Sequence, residues 1–388
     1  MPNINKWRQV FLIETFTLFL TIKGRINFLQ LQRFGKYSEQ RYRQQFERKF
    51  DFLGFNKELV RQHSSGNLII ALDPSFLSKA GKKTPGLGYF WSGQAGSMKR
   101  GLEITGIAAI DIKNHTGFHL EAVQTIIQEG KTLTEHYAEL IIQRKEALSG
   151  LSEIVVADAW FTKKPFVDAM RANEFHFVGR LRDDARLKYL YHGPRTGKRG
   201  RPKKYDGKVK PKMPDMNVFE TLQALDDTTI HTAIVYSESL ECDIRVVLMP
   251  ISTGKTGYKI FFSTDTEMHA ANLLQYYKSR FQIEFIYRDS KQHTGLNDCQ
   301  ARSENKLHRA ADRFQTNAAL TAVNIAKAKH WISLPEELRK AFSMNDIKTL
   351  NHNCLLLDKF FITFGVNPNL IKNQKYVKEL IRYGTIAA

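Results

Sequence analysis

Residues 276–292 read YYKSRFQIEFIYRDSKQ, a stretch that interleaves charged side chains with large apolar and aromatic ones. It fits neither a solvated helix face nor a core segment. No Pro or Gly interrupts the chain from His269 to Thr294, and Gly295 supplies a stop, so the spacing predicts one continuous helix. At roughly 100° per residue, Tyr277, Arg280, Glu284, Arg288 and Lys291 fall in one narrow sector. Leu274, Phe281 and Phe285 flank that sector on one side, and Tyr276, Ile283 and Tyr287 on the other. The helix is therefore expected to bury both flanks in protein and to aim a charged stripe into a shared space.

A buried charged stripe is costly unless something compensates it. A phosphodiester and a divalent cation would do so. Glu284 could ligate the metal, while Arg280, Lys291 and the Tyr277 hydroxyl hold phosphate oxygens. The plainer alternative is an ion-pair ladder on a surface helix, because Glu284 to Arg288 is a favourable i,i+4 pair. The two apolar flanks argue against it.

Composition points to a polyanionic partner. The chain has 388 residues, with 58 Lys or Arg against 39 Asp or Glu, a net charge of +19 and a pI near 9.7. That length suggests two or three domains. The longest apolar run, VFLIETFTLFLTI (Val10–Ile22), carries Glu14 and is too short to cross a bilayer. It also lacks a small-residue cleavage site, so no signal peptide is expected. Cys242, Cys299 and Cys354 are far apart and form no CxxC, which argues against a zinc site or a disulfide framework. These features predict a cytoplasmic protein that meets nucleic acid rather than a membrane.

Residues 7–60 read as helical. Gly35 can end one short helix and Ser38 can cap the next, a pattern that fits a DNA-binding helix-turn-helix with a basic second helix carrying Arg41, Arg43, Arg48 and Lys49; an amphipathic helical hairpin with a solvated face is the alternative. In NLIIALDPSFLSK an apolar run from Asn67 to Leu72 is expected to end at Asp73-Pro74, holding a carboxylate at a strand end. The glycines of residues 81–97 match no phosphate-binding spacing. Two strands, a helix, the strand SEIVVADAWF with Asp158 at its end, a helix and FHFVGRL follow. The order predicts a mixed α/β sheet with two strand-end carboxylates. His115 and His119 lie there without further ligand partners and read as structural. From His192 to Lys212 there are nine Lys or Arg and one Asp, which predicts a loop or arm that buries no core. Within it RGRPKK resembles an AT-hook, with Arg199, Arg201, Lys203 and Lys204 as DNA contacts; a solvated basic linker is the alternative. Three strands then form an inserted β element, and Thr264-Asp265 can cap the following helix.

The set Tyr277-x2-Arg280-x3-Glu284-x6-Lys291 resembles the Y-R-E-K signature of bacterial insertion-sequence transposases of the DDE superfamily. ALDPSF, VADAWFTKKPFVDAM and GRPKKYDGK are similar to that family's neighbouring segments. The resemblance covers residues 65–300 well. It implies an α/β, RNase H-like mixed-sheet core interrupted by a β-rich insertion, with helical N- and C-terminal regions. The expected division is a helix-turn-helix-like DNA-binding region over 1–62, then the first part of the catalytic core over 63–190. The basic arm and β-rich insertion follow over 191–264, the second part of the core over 265–330, and a helical C-terminal region over 331–388.

The resemblance further implies that Asp73, Asp158 and Glu284 are the catalytic and metal-binding acids. Asp73 would be shared by two Mg²⁺ ions, for which Mn²⁺ is expected to substitute, while Asp158 and Glu284 complete one site each. Tyr277, Arg280, Arg288 and Lys291 would position the DNA backbone. Some relatives hold a flipped base with an aromatic from the insertion. Tyr258, Phe261 and Phe262 are candidates for that role, with core positions the plainer reading of each. The implied activity is cut-and-paste transposition of double-stranded DNA in the bacterial nucleoid, by a homodimer bridging two element ends. A domesticated, non-catalytic DNA-binding regulator and a plain nuclease are the competing readings.

Overall fold

Helix α1 (Lys6–Thr21) starts where the Asn5 side chain accepts the Arg8 N–H, and it buries Phe11, Leu12, Phe16 and Phe19. A helix so apolar around its circumference belongs inside a fold. Around it wrap α2 (Phe28–Phe34), α3 (Glu39–Phe46) and α4 (Phe52–His63). Ser38 caps α3 and Gly35 ends α2, as their sequence positions require. Because α3 ends at Phe46, Arg48 and Lys49 are not on a basic second helix. They lie in the connection to α4 and line a cleft of about 950 Å³ with Arg8. The structure, a computed structural model, describes residues 4–386 except 80–83, 85, 94, 127, 195–201, 212, 224–227, 252–256, 299–305 and 333–340.

The sheet begins with β1 (Leu68–Ser78), β2 (Gly88–Ser92), β3 (Ser97–Asp111) and β4 (Thr116–Gln124). After α5 (Leu133–Ile142) and α6 (Lys145–Ser149) come β5 (Ile154–Val156), α7 (Lys164–Ala172) and β6 (His176–Leu181). β3 pairs antiparallel with both β1 and β4, while β5 and β6 run parallel to β1. The resulting order, β4-β3-β1-β5-β6, is the RNase H-like arrangement. Asp73 does not end its strand. β1 continues through Pro74 to Ser78 because β3 pairs with it along the whole length. β5 reaches only Ile70 and Ala71, so the edge beyond Leu72 is left uncovered by it and Pro74 interrupts no ladder with β5.

The insertion is not a separate element. β7 (Leu187–Leu190), β8 (Tyr205–Val209), β9 (Glu220–Gln223), β10 (Thr229–Ser237), β11 (Cys242–Pro250) and β12 (Tyr258–Ser263) extend the same sheet to 12 strands among the described residues, joined through β12 on β6. The basic arm also contains a strand, contrary to its composition, because β8 pairs with β7 and buries Val209. Residues 199 and 201 of the arm lie outside the described residues. Lys203 pairs with Asp206 at 2.6 Å and lies over the Tyr191 ring at 4.4 Å, while the Lys204 side chain is exposed.

Helix α8 (Ala270–Ser279) is capped by His269, not by Thr264-Asp265, and α9 (Gln282–His293) follows it. Helix α10 (Lys306–Ile332) then crosses the molecule, and α11 (Met344–Thr363), α12 (Pro368–Ile371) and α13 (Lys375–Arg382) complete it. Lys348 ties α11 to the end of α1 by donating to the Phe19 carbonyl at 3.0 Å and to the Ile22 carbonyl. An ammonium donor at a helix C-terminus is favourable, because it satisfies free carbonyls at the negative end of the helix dipole.

Two asparagines of α10 stand in for a strand against β4. Asn324 accepts the His119 N–H at 2.8 Å and donates to the His119 carbonyl at 2.7 Å. Asn317 does the same for Ala122, at 2.8 and 2.9 Å. A carboxamide offers the donor and acceptor of a peptide group, so it can close a strand edge that would otherwise be unsatisfied. Asn324→Leu leaves both His119 backbone groups unpaired, and a loss of about 3 kcal/mol or more is expected in urea unfolding.

The His119 ring is fully buried on Asn317 Oδ1 at 3.0 Å, which agrees with its structural reading, and burial pushes its pKa down to about 4. The unfolded chain takes up that proton from about pH 6.5 downward while the folded chain resists it, so stability falls as pH drops from 6.5 towards 4. Wild type should lose about 3 kcal/mol more than His119→Gln across that window, measured by denaturant titration at each pH.

Candidate active site

The open edge of β1 and the end of β5 create the space in which the acids meet. Asp73 points to the face of the sheet covered by α9, and Gly106 of β3 lies directly opposite it. Asp158 follows β5 and caps a short 3₁₀ turn (Ala159–Phe161), accepting the Trp160 N–H at 2.9 Å. Glu284 comes from the first turn of α9.

Sequence periodicity predicts one helix through Arg280, but the structure divides it. The N–H groups of Ile283 and Glu284 bond three residues back, to Arg280 and Phe281, each at 3.1 Å. This is a 3₁₀-type tightening rather than a break by Pro or Gly. α8 packs on β6, β11 and β12, whereas α9 packs on β1, β3 and β4, so the two halves follow different parts of a twisted sheet.

Arg280 sits at that joint and bridges two acids. Its Nη1 lies 3.6 Å from Asp73 Oδ1 and its Nη2 lies 3.1 Å from Glu284 Oε1. Its buried Nε has no hydrogen-bond partner. Tyr277 stands beside it, with Arg280 6.0 Å from the ring centroid, and packs on Phe261 at 4.8 Å. Burial raises the Tyr277 hydroxyl above its ordinary range, and the Arg280 charge opposes that rise.

Burial also pushes the Asp73 carboxyl up to about 7. Arg280 pulls it down, while the charges of Asp158 and Glu284 push it further up. The charges of Asp158 and Glu284 thus both reach Asp73. Among the described residues no three His, Cys, Asp or Glu side chains form a ready cage for a metal ion. Their hard carboxylate oxygens nevertheless suit Mg²⁺, and a cationic guanidinium already bridges two of them.

Two contacts position α9 over β1. The Tyr287 hydroxyl donates to the Asp73 carbonyl oxygen at 2.6 Å. A Cβ on Gly106 would lie 2.2 Å from that hydroxyl, so only glycine leaves room for it. Lys291 Nζ donates to Ser75 Oγ at 2.8 Å and to the Phe76 carbonyl at 3.1 Å. Burial lowers the Lys291 pKa, and Asp73 opposes that shift.

Tyr287, Ser75 and Gly106 were not singled out for this site by sequence. The i+3 spacing of Tyr287 from Glu284 is a local signal; the pairing of Gly106 with Asp73 is not. Arg288 does not join the stripe's contacts. It pairs with Asp289 at 3.1 Å and lies over the Phe285 ring at 4.5 Å. Phe261 and Phe262 are core residues, and Tyr258 packs on His231. At the N-terminal helices, Arg41 lies over Trp7 at 4.4 Å, and Arg43 pairs with Glu39 while lying over Phe28 at 4.5 Å.

The strand order β4-β3-β1-β5-β6, with β3 antiparallel and β5 and β6 parallel to β1, places the molecule in the RNase H-like class of α/β proteins. A profile of the transposase DDE domain matches residues 64–312, more than half of the chain. The chain belongs to that transposase DDE family. No curated protein matches it significantly. Among solved structures, it is similar to Ciona intestinalis endonuclease V in complex with a 24-mer DNA containing an inosine followed by a ribo-adenosine. That match has 10% identity and a TM-score of 0.25, over 58% of this chain and 86% of that one. A variant of the same enzyme with a 23-mer DNA also matches at 10% and 0.25, over 65% and 89%. Similarity at that level carries no argument about this chain. Among the described residues no helix is long and apolar enough to cross a membrane.

Proposed function

We propose that this chain is a cut-and-paste DNA transposase of the Y-R-E-K group, which binds its element's terminal inverted repeats, cleaves there and joins the 3′ ends to target DNA. The observation that carries the reading is the approach of Asp73 and Glu284 to Arg280, with Asp158 near enough for its charge to act on Asp73. These acids would hold two Mg²⁺ ions, which supply activation of the attacking water or 3′-hydroxyl and neutralisation of the leaving oxygen. Arg280 compensates Asp73 and Glu284 in the free protein, and its guanidinium would turn to a phosphate oxygen once metal ions take over those carboxylates. Tyr277 lines the same space. Tyr287 and Lys291 hold Asp73 and its strand in place, so the acids stay aligned while the DNA is strained.

The α3 surface and the basic arm would carry the DNA, consistent with the net charge of +19. The C-terminal helices leave Phe360, Ile362, Phe364, Leu370 and Tyr376 exposed, which supports a homodimer assembled on two ends. The test is incubation with a supercoiled plasmid bearing the element's matched inverted repeats, with Mg²⁺ or Mn²⁺. Excision of the segment and strand-transfer products are expected. Tight end binding with no cleavage would overturn the enzymatic reading in favour of the regulator, and cleavage without joining would leave a plain nuclease.

A further inference from the structure

The hairpin of β2 and β3 displays aromatic rings to solvent at the same end of the sheet as the acids. Tyr89 pairs with Arg100 and Trp91 with Met98, so strand alternation sets these four side chains on one face. Tyr89 is 70% exposed, Trp91 60% and Met98 55%. β1 ends opposite Gly101, and the hairpin continues outward from there. Gly101 lies along β3 from Gly106, the partner of Asp73, by a span of roughly 17 Å. Residues 79–100 contain five Lys or Arg and no Asp or Glu. Exposed rings would ordinarily be a liability on a strand at the end of a sheet, and here Arg100 shares their face.

We infer that this hairpin is a stacking platform for unpaired nucleotides of the DNA strand that leaves the active site. Bases would stack on Trp91 and Tyr89, and Arg100 would meet the backbone phosphates. Flat aromatic faces beside cations suit single strands, because every base has a π-face and every nucleotide a phosphate. A duplex hides its base faces and would use only the cations. The inference rests on the transposase reading, and it assigns the handling of the separated strand to residues outside the acid site.

The test uses the full chain and two probes, a fluorescein-labelled oligothymidine of about 20 nucleotides and a duplex of similar length. Trp91→Ala should weaken oligothymidine binding by about 10-fold and duplex binding by less than about twofold, with Trp91→Phe near wild type. Ultraviolet cross-linking of an iodouracil-substituted oligonucleotide to wild type should map to Trp91 or Tyr89. Because that second measurement needs no variant, a folding defect cannot shield the proposal. Equal weakening on both probes, or no weakening, together with cross-links elsewhere, would overturn it. So would unchanged DNA binding with loss of a dimer in light scattering, which would make the face a contact between copies. Cleavage of inverted-repeat ends in Mg²⁺ is followed in the same preparations. If wild type cleaves ends but shows none of the stacking results, the platform falls alone; if it neither binds nor cleaves ends, the transposase reading falls with it.

Discussion

Asp73→Asn, Asp158→Asn and Glu284→Gln should each lower DNA cleavage by about 10³-fold or more, the scale expected when the charge stabilisation supplied through a metal site is lost. Each change removes a negative charge while nearly preserving side-chain shape, so the cost in packing is small. End binding should persist in a gel-shift assay, because the acids repel phosphate and contribute nothing to backbone affinity. Asp73→Asn is the most informative of the three. Asp73 is the group that feels both other acids, and it lies on the face of β1 that α9 covers. Calorimetric titration of Mg²⁺ should show weaker binding for all three variants. Full cleavage by any one of them, in a protein that unfolds at the wild-type temperature, would remove that residue from the site.

The second large effect belongs to Arg280. Arg280→Ala removes the cation that bridges Asp73 and Glu284, so both acids lose that counter-charge while Lys291 still acts on Asp73. Mg²⁺ affinity should hold or increase, since the acids gain more from a divalent ion once the guanidinium is gone. Cleavage should nevertheless fall by about 10²-fold, because the phosphate loses a positioning donor. Arg280→Lys should recover little of it, since an ammonium cannot span two carboxylates in the way a planar fork does. Single-turnover cleavage and Mg²⁺ titration on the same variants check the split. A variant that lost metal binding along with rate would show that Arg280 shapes the acid site rather than the substrate's approach.

Some of this molecule follows from short-range rules. Ser38 and Gly35 mark helix ends because a cap is decided by a few neighbouring backbone groups. Gly295 ends the region of α9 for a similar reason, adopting a left-handed φ of +76° that other residues resist. The Tyr277, Arg280 and Glu284 spacing was legible too, since helical periodicity survives a single tightened turn. So was the mixed sheet, whose apolar runs alternate with helices in the order of β1, β5 and β6. The family match over residues 64–312 agrees with the resemblance at the level of a DDE transposase.

Other features depend on partners far along the chain. Asp73-Pro74 looks like a strand end locally, yet β3 extends the strand to Ser78 through pairings with residues 101–111. The basic arm looks unable to pair, yet β7 holds residues 205–209 in a strand. Arg288 occupies the right helical sector, but Asp289 and Phe285 capture it. Gly106 gives no local sign that it makes room for Tyr287, and neither residue's spacing reveals the other. Composition, caps and the spacing of the acids were therefore written into the chain itself, because each depends on neighbouring residues or on a sum over all of them. The extent of β1, the joint at Arg280 and the approach of α9 to Asp73 were decided only in the folded protein. Each depends on which distant backbone happens to satisfy the local one, and that pairing energy is absent until the sheet has formed.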